Sequence, residues 1–131
     1  MTLAVTGIQH LNLRVADLSR ARDFYVQVLG FRVAFAKAAT VWLEAGGDLL
    51  GLSEGEVEPG VGHGSSHFGF MVDAPAAVDA WNEQLRAHGI DAEKGPYDRS
   101  DGRSLYFRDP DGHLLEIFWV DPAFLRPSSR R

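Results

Sequence analysis

The sequence contains no cysteine. That absence excludes a disulfide scaffold, a thiolate zinc site and a cysteine nucleophile. Basic residues are not in excess either: 13 Lys and Arg against 18 Asp and Glu give a net charge of −5 with His neutral. A nucleic-acid-binding domain ordinarily carries a basic surplus, and here the one basic cluster is the tail around Arg126, Arg130 and Arg131. No apolar run approaches the length of a membrane span, and the first residues lack a basic-then-apolar signal pattern. The expectation is a cytoplasmic protein with neither a nucleic-acid nor a membrane partner. What is present is ordinary for a globular protein, with 45% hydrophobic and 24% charged residues. A chain of 131 residues is the length of one domain and can bury a core without disulfides.

The sequence also contains itself twice. The run from His10 to Val15, HLNLRV, superposes on the run from His67 to Val72, HFGFMV, at an offset of 57 residues. Both alternate, both open on His, and both are followed by an acidic residue, Asp17 or Asp73. The spacing of Leu18, Ala21, Phe24, Tyr25, Val28 and Leu29 then predicts a helix that stops at Gly30. Its counterpart starts with Pro75, carries Val78, Trp81 and Leu85, and stops at Gly89. A short apolar piece follows each helix, Phe31–Val33 and Ile90–Ala92. Two further strands close each half: Thr40–Ala45 with Leu49–Ser53, and Ser104–Arg108 with Leu114–Val120, the last two across a turn at Asp109–Gly112. The expected fold is α+β, one domain over residues 1–131. It consists of two βαβββ modules, about 7–53 and 66–120, that form a cupped mixed sheet. Residues 54–65 between them, rich in Gly and Glu, read as a flexible linker.

Side chains alternate across a strand, so parity separates the helix-packed face from the open one. Leu11, Leu13 and Val15 oppose His10, Asn12 and Arg14. Phe68, Phe70 and Val72 oppose His67, Gly69 and Met71, and Leu115, Ile117 and Trp119 oppose Leu114, Glu116 and Phe118. With the bulky sets on the helices, His10, His67 and Glu116 share the open face. Two imidazoles and a carboxylate form a facial triad suited to one divalent ion, Mn, Fe, Zn or Ni, with positions open for substrate. The competing explanation for each His is a hydrogen-bonded structural residue. Of the other histidines, His63 reads as solvated, His88 as a helix-end residue and His113 as a turn residue. Glu44 is a candidate general base. Trp42, Tyr106 and Phe118 are candidates to line a pocket, and the segment Tyr97–Arg103 reads as a polar loop able to hold an oxyanion.

The segments HLNLRVADL, FYVQVLGF, SHFGFMV and RSLYFRDPDGHLLEIF together resemble the vicinal oxygen chelate superfamily. That group comprises glyoxalase I, extradiol dioxygenases and the fosfomycin- and bleomycin-resistance proteins. The resemblance runs from about Gly7 to Val120, and DPDGH followed by Glu116 is its most specific piece. It implies paired βαβββ modules around a metal, completed in a homodimer, in some members by exchanging modules. Glyoxalase I carries a fourth ligand on the last strand of its first module, where this chain has Gly51. The fosfomycin-resistance proteins match best in size and in Arg99, Ser100, Asp101 and Gly102 followed by Ser104 and Tyr106, which resemble their phosphonate- and potassium-binding residues. This chain has Asn12 where they carry Thr, Pro96 where they carry a phosphonate-contacting Lys, and only Arg126 near their C-terminal Arg.

The function expected is a metal-dependent enzyme acting by Lewis-acid activation on a small, anionic, oxygen-chelating substrate, specifically epoxide opening by a thiol or water. His10, His67 and Glu116 are the metal ligands expected. Asn12, Trp42, Arg99, Ser100, Tyr106 and Phe118 are the substrate-binding candidates, with Glu44 and Tyr106 as catalytic ones. Because the chain has no Cys, any thiol must arrive as a co-substrate. The alternatives are a metal-free drug-sequestering protein with an aromatic cup, or a one-domain extradiol dioxygenase.

Overall fold

In a computed structural model, residues 2–57 and 66–125 are described. The chain divides into two compact units, Met1–Pro59 and Gly60–Arg131. His63, most of the expected linker and Arg126 lie outside the described residues. Among those described, no helix is long and apolar enough to cross a membrane.

The first unit begins with β1 (His10–Val15), followed by α1 (Leu18–Asp23). Asp17 caps α1, its carboxylate accepting from the Arg20 amide at 3.0 Å. The helix expected to continue to Leu29 instead passes into a π-helical turn over Phe24–Val28. There the Leu29 amide donates to the Phe24 carbonyl, five residues back, at 3.4 Å. The wider turn lets Phe24, Tyr25, Val28 and Leu29 all enter the core. Gly30 stops the element in the left-handed region, at φ +74°. Three strands follow: β2 (Arg32–Lys37), β3 (Thr40–Ala45) and β4 (Asp48–Glu54). The sheet order is β1-β4-β3-β2, with β1 parallel to β4 and the other pairs antiparallel.

The second unit repeats this plan with β5 (Phe68–Met71), α2 (Pro75–Ala87), β6 (Lys94–Arg99), β7 (Gly102–Arg108) and β8 (Leu114–Val120). Its order, β5-β8-β7-β6, is the same, and β5 is the parallel partner of β8. The α+β class and the two βαβββ modules of the sequence reading hold, each module carrying its own four-stranded mixed sheet. A strand expected at Ile90–Ala92 is displaced to Lys94–Arg99. The displaced strand contains Gly95 and Pro96, which read as breakers, and its pairing with β7 shifts register between Lys94 and Tyr97. The segment Tyr97–Arg103, expected as a loop, is therefore the end of β6, a tight turn at Ser100 and Asp101, and the start of β7.

Register confirms the parity argument within each module. Leu13, Leu52 and Val41 stand in one row, and Leu11, Leu50 and Leu43 in the next. These share the helix-packed face, where Leu43, Leu50 and Leu52 are at most 2% exposed. In the second module Phe68, Leu115 and Phe107 form one such row, and Phe70, Ile117 and Leu105 another. The alternate rows define the open faces: Asn12, Gly51 and Trp42 in the first module, and Gly69, Glu116 and Tyr106 in the second.

Candidate functional site

The second module gathers several of the expected residues on the centre of its sheet. His67 immediately precedes β5 and has the parity of Gly69, whose partner on β8 is Glu116. The imidazole Nε2 donates to Glu116 Oε1 at 3.1 Å. The Glu116 carboxylate is buried, with the residue 6% exposed. An unpaired carboxylate there would cost several kcal/mol or force protonation, so its partners matter. Ser104, two residues along β7 from the position facing Glu116, donates its hydroxyl to Glu116 Oε2 at 2.7 Å. Arg99, at the end of β6, brings Nη1 to 3.7 Å of the same oxygen.

Tyr106 stands opposite Glu116 on β7. Its ring meets the His67 ring edge-on, centroids 5.2 Å apart. Burial, then the Glu116 charge and hydrogen bonding to Glu116, push its phenol up to about 12. Tyr106 therefore stays protonated at neutral pH, as a donor rather than a base. Arg99 Nε is shut off from solvent, makes no hydrogen bond among the described residues and lies 3.5 Å from Asp101 Oδ1. Ser100 is exposed in the turn beside it. Phe118, paired with Ser104, covers Gly69 so closely that a methyl group there would come within 2.9 Å of the ring.

The first module places its candidates on the matching face. His10 is exposed at the start of β1, its Nδ1 paired with Gln9 Oε1 at 2.9 Å. Its ring meets the Trp42 indole edge-on at 5.4 Å. Trp42 and Asn12 flank Gly51, and Phe35 stacks on the far side of the indole with centroids 6.1 Å apart. Glu44 lies further along β3, its carboxylate held by Arg32 Nη2 at 2.8 Å. Among the remaining histidines, His113 is buried in the turn before β8, its amide donating to Asp109 at 2.9 Å. His88 ends α2 beside Gln84.

The donor chemistry of the second module fits a divalent ion. His67 Nε2 and Glu116 Oε1 lie 3.1 Å apart, so one ion could be offered both. Both are donors that first-row metals accept. Among the described residues, no group of three His, Asp or Glu side chains comes together. The sequence reading singled out Glu116 and its parity, but it did not foresee Ser104 as the carboxylate's partner. The signal available was the β7–β8 hairpin, which sets Ser104 on the Glu116 face one pair along.

Two α+β modules of identical topology, one carrying a histidine against a buried carboxylate on its open face, define a class of small paired-module proteins. Residues 7–117 match the model of the Glyoxalase/Bleomycin resistance protein/Dioxygenase superfamily. The chain belongs to that superfamily. It is 36% identical to the virulence protein STM3117 of Salmonella typhimurium, over 88% of this chain and 85% of that protein. It is 30% identical to the metallothiol transferase FosB of Shouchella clausii, over 86% and 80% of the respective chains. Relatives named as transferases place it with the enzymes of the superfamily. The crystal structure of FosX, a fosfomycin resistance protein from Listeria monocytogenes, superposes with a TM-score of 0.77 over 92% of this chain and 98% of that one. At 23% identity that likeness concerns the fold.

Proposed function

We propose that the protein is a metal-dependent enzyme of the fosfomycin-resistance type, opening the epoxide of a small anionic substrate with a thiol co-substrate. The observation that carries this reading is the His67–Glu116 pair, an imidazole nitrogen 3.1 Å from the oxygen of a buried carboxylate. His67 and Glu116, joined by His10, would hold one divalent ion of Mn, Fe, Zn or Ni. Such an ion supplies Lewis-acid polarisation of a substrate oxygen bound to it.

The chain's own residues supply the rest. Arg99, whose guanidinium is part-exposed, and Ser100 bind the anionic group. Tyr106, kept protonated, donates a hydrogen bond towards substrate oxygen. Asn12 orients the substrate, while Trp42 and Phe118 form apolar walls. Glu44 takes the proton of the incoming thiol, which cannot come from this chain because it has no Cys. A homodimer is part of the same reading. Leu3, Val5 and Ile8 are more than four-fifths exposed and Phe35 is half exposed, apolar surface that a second copy would cover.

The test is elemental analysis of purified protein with fosfomycin turnover in the presence of small thiols. Wild type is expected to carry about one metal per chain and His67→Ala none; a full complement in His67→Ala would overturn the ligand assignment. A second reading, sequestration of an aromatic drug, is favoured by the half-exposed Phe35 ring stacked on Trp42. Metal-free protein that binds aromatic antibiotics tightly in calorimetry would replace the enzymatic reading with this one.

A further inference from the structure

We propose that Ser104 is a positioning residue, whose hydroxyl holds the Glu116 carboxylate in the orientation that presents one chosen oxygen to the metal. The inference rests on the metal-dependent reading above. Ser104 is fully buried, at 0% exposure, and a buried hydroxyl is costly unless it is hydrogen-bonded. Its partner is Glu116 Oε2 at 2.7 Å, a short bond to a carboxylate of the stronger, charge-assisted kind.

The two carboxylate oxygens are thereby differentiated. Oε1 faces His67 Nε2, whereas Oε2 is held from inside the sheet by Ser104, with Arg99 Nη1 near the same atom. The last torsion of a glutamate is soft and roughly two-fold, so an unrestrained carboxylate would exchange its oxygens or turn both outward. Ser104 removes that freedom. Outer partners of this sort orient metal ligands and raise affinity.

The first module contains a natural comparison. Thr40 pairs with Ser53 on the neighbouring strand, as Ser104 pairs with Phe118. A hydroxyl thus occupies the same register position in both modules. Where the first module has Gly51 in place of the carboxylate, the Thr40 hydroxyl shares a hydrogen bond with Ser53 Oγ at 2.9 Å instead. Only the second module turns this hydroxyl onto a metal-ligating group.

The test measures Mn(II) and Zn(II) affinity by calorimetry on the full chain, for wild type, Ser104→Ala, Ser104→Thr and Glu116→Gln, with a thermal melt of each. Ser104→Ala is expected to weaken metal binding about 10- to 100-fold, and Ser104→Thr, which keeps the hydroxyl, to restore most of it. If Ser104→Ala does not fold, Ser104→Val against Ser104→Thr makes the same comparison between side chains of one shape. Wild-type affinity in Ser104→Ala or Ser104→Val, while Glu116→Gln loses the metal, overturns this inference alone. Equal loss in Ser104→Ala and Ser104→Thr overturns it too, because packing rather than the hydroxyl would then be responsible. Equal metal binding by wild type and Glu116→Gln overturns the metal assignment and this inference with it.

Discussion

In the first module the residue set between Asn12 and Trp42 is Gly51; in the second, the residue set between Gly69 and Tyr106 is Glu116. The strand framework around the two positions corresponds. A parallel strand with His just before or at its start lies on one side. On the other, an antiparallel strand sends an aromatic ring edge-on to that His, at 5.4 Å in one module and 5.2 Å in the other. The difference is what fills the middle. A Cβ on Gly51 would lie 2.8 Å from the Trp42 ring and 2.6 Å from Asn12 Nδ2, so the larger indole occupies room that the second module gives to a carboxylate. Duplicated scaffolds can therefore diverge through one position: one module keeps a buried acid, the other closes the same place with an aromatic wall.

The largest effect expected outside the proposed ligands is at Gly51 itself. Gly51→Ala should destabilise the protein by about 1–3 kcal/mol, seen as a lower urea midpoint, because the ring and the amide must give way. Adding Trp42→Ala should recover the clash component, read as a loss in the double variant smaller than the summed single losses. Additive losses would show that the Asn12 amide, not the indole, limits the site. The two helix starts offer a smaller contrast. Asp17 caps α1 with its side chain, whereas Ala74, equally extended at φ −150° and ψ 151°, makes no side-chain cap for α2. Asp17→Ala should lose about 1 kcal/mol and Ala74→Ser should gain about 0.5–1 kcal/mol in thermal melts.

The smallest effect concerns how each helix is tied to its sheet. In the first module Glu54 Oε2 accepts from the Leu18 amide at 3.1 Å. In the second, Arg103 on β7 grips Asp79 of α2 through two nitrogens, at 2.8 and 3.1 Å. Hydrogen bonding from Arg103 holds the Asp79 carboxyl below its ordinary 3.8. A carboxyl lowered in the folded state adds stability above its unfolded value, and that stability is lost as pH falls through the folded one. The pair is largely solvated, so the contribution is small. Asp79→Asn should lower the neutral plateau of the melting temperature slightly and flatten the acid limb, the variant converging with wild type as pH falls below about 4; curves that run parallel through the acid range would show that the pair carries no net linkage.

Much of the architecture was legible beforehand because it rests on periodicities of two and 3.6 that repeat. The His10 and His67 strands, α2 up to Gly89, and the β7–β8 hairpin follow directly from alternation, capping glycine and turn residues. Two elements escaped for physical reasons. The π-helical turn at Phe24–Val28 keeps the same apolar stripe as an α-helix while changing only the hydrogen-bond span. Strand β6 contains Lys94, Gly95 and Pro96, residues with low strand preference, and it exists because β7 offers it an edge to pair with.

The sequence by itself determined the duplicated α+β plan, the absence of thiol chemistry from the chain, and within the second module the shared parity of the Gly69 and Glu116 rows. These follow from composition and parity, which are local. Only the tertiary structure decided which groups meet. Ser104 holds Glu116 from 12 residues away and His67 reaches it from 49 residues away, because strand pairing, not sequence distance, sets which side chains share a row. The filling of the Gly51 position by Trp42 is likewise a matter of packing, since no alternation pattern states how far a ring on one strand extends over its neighbour.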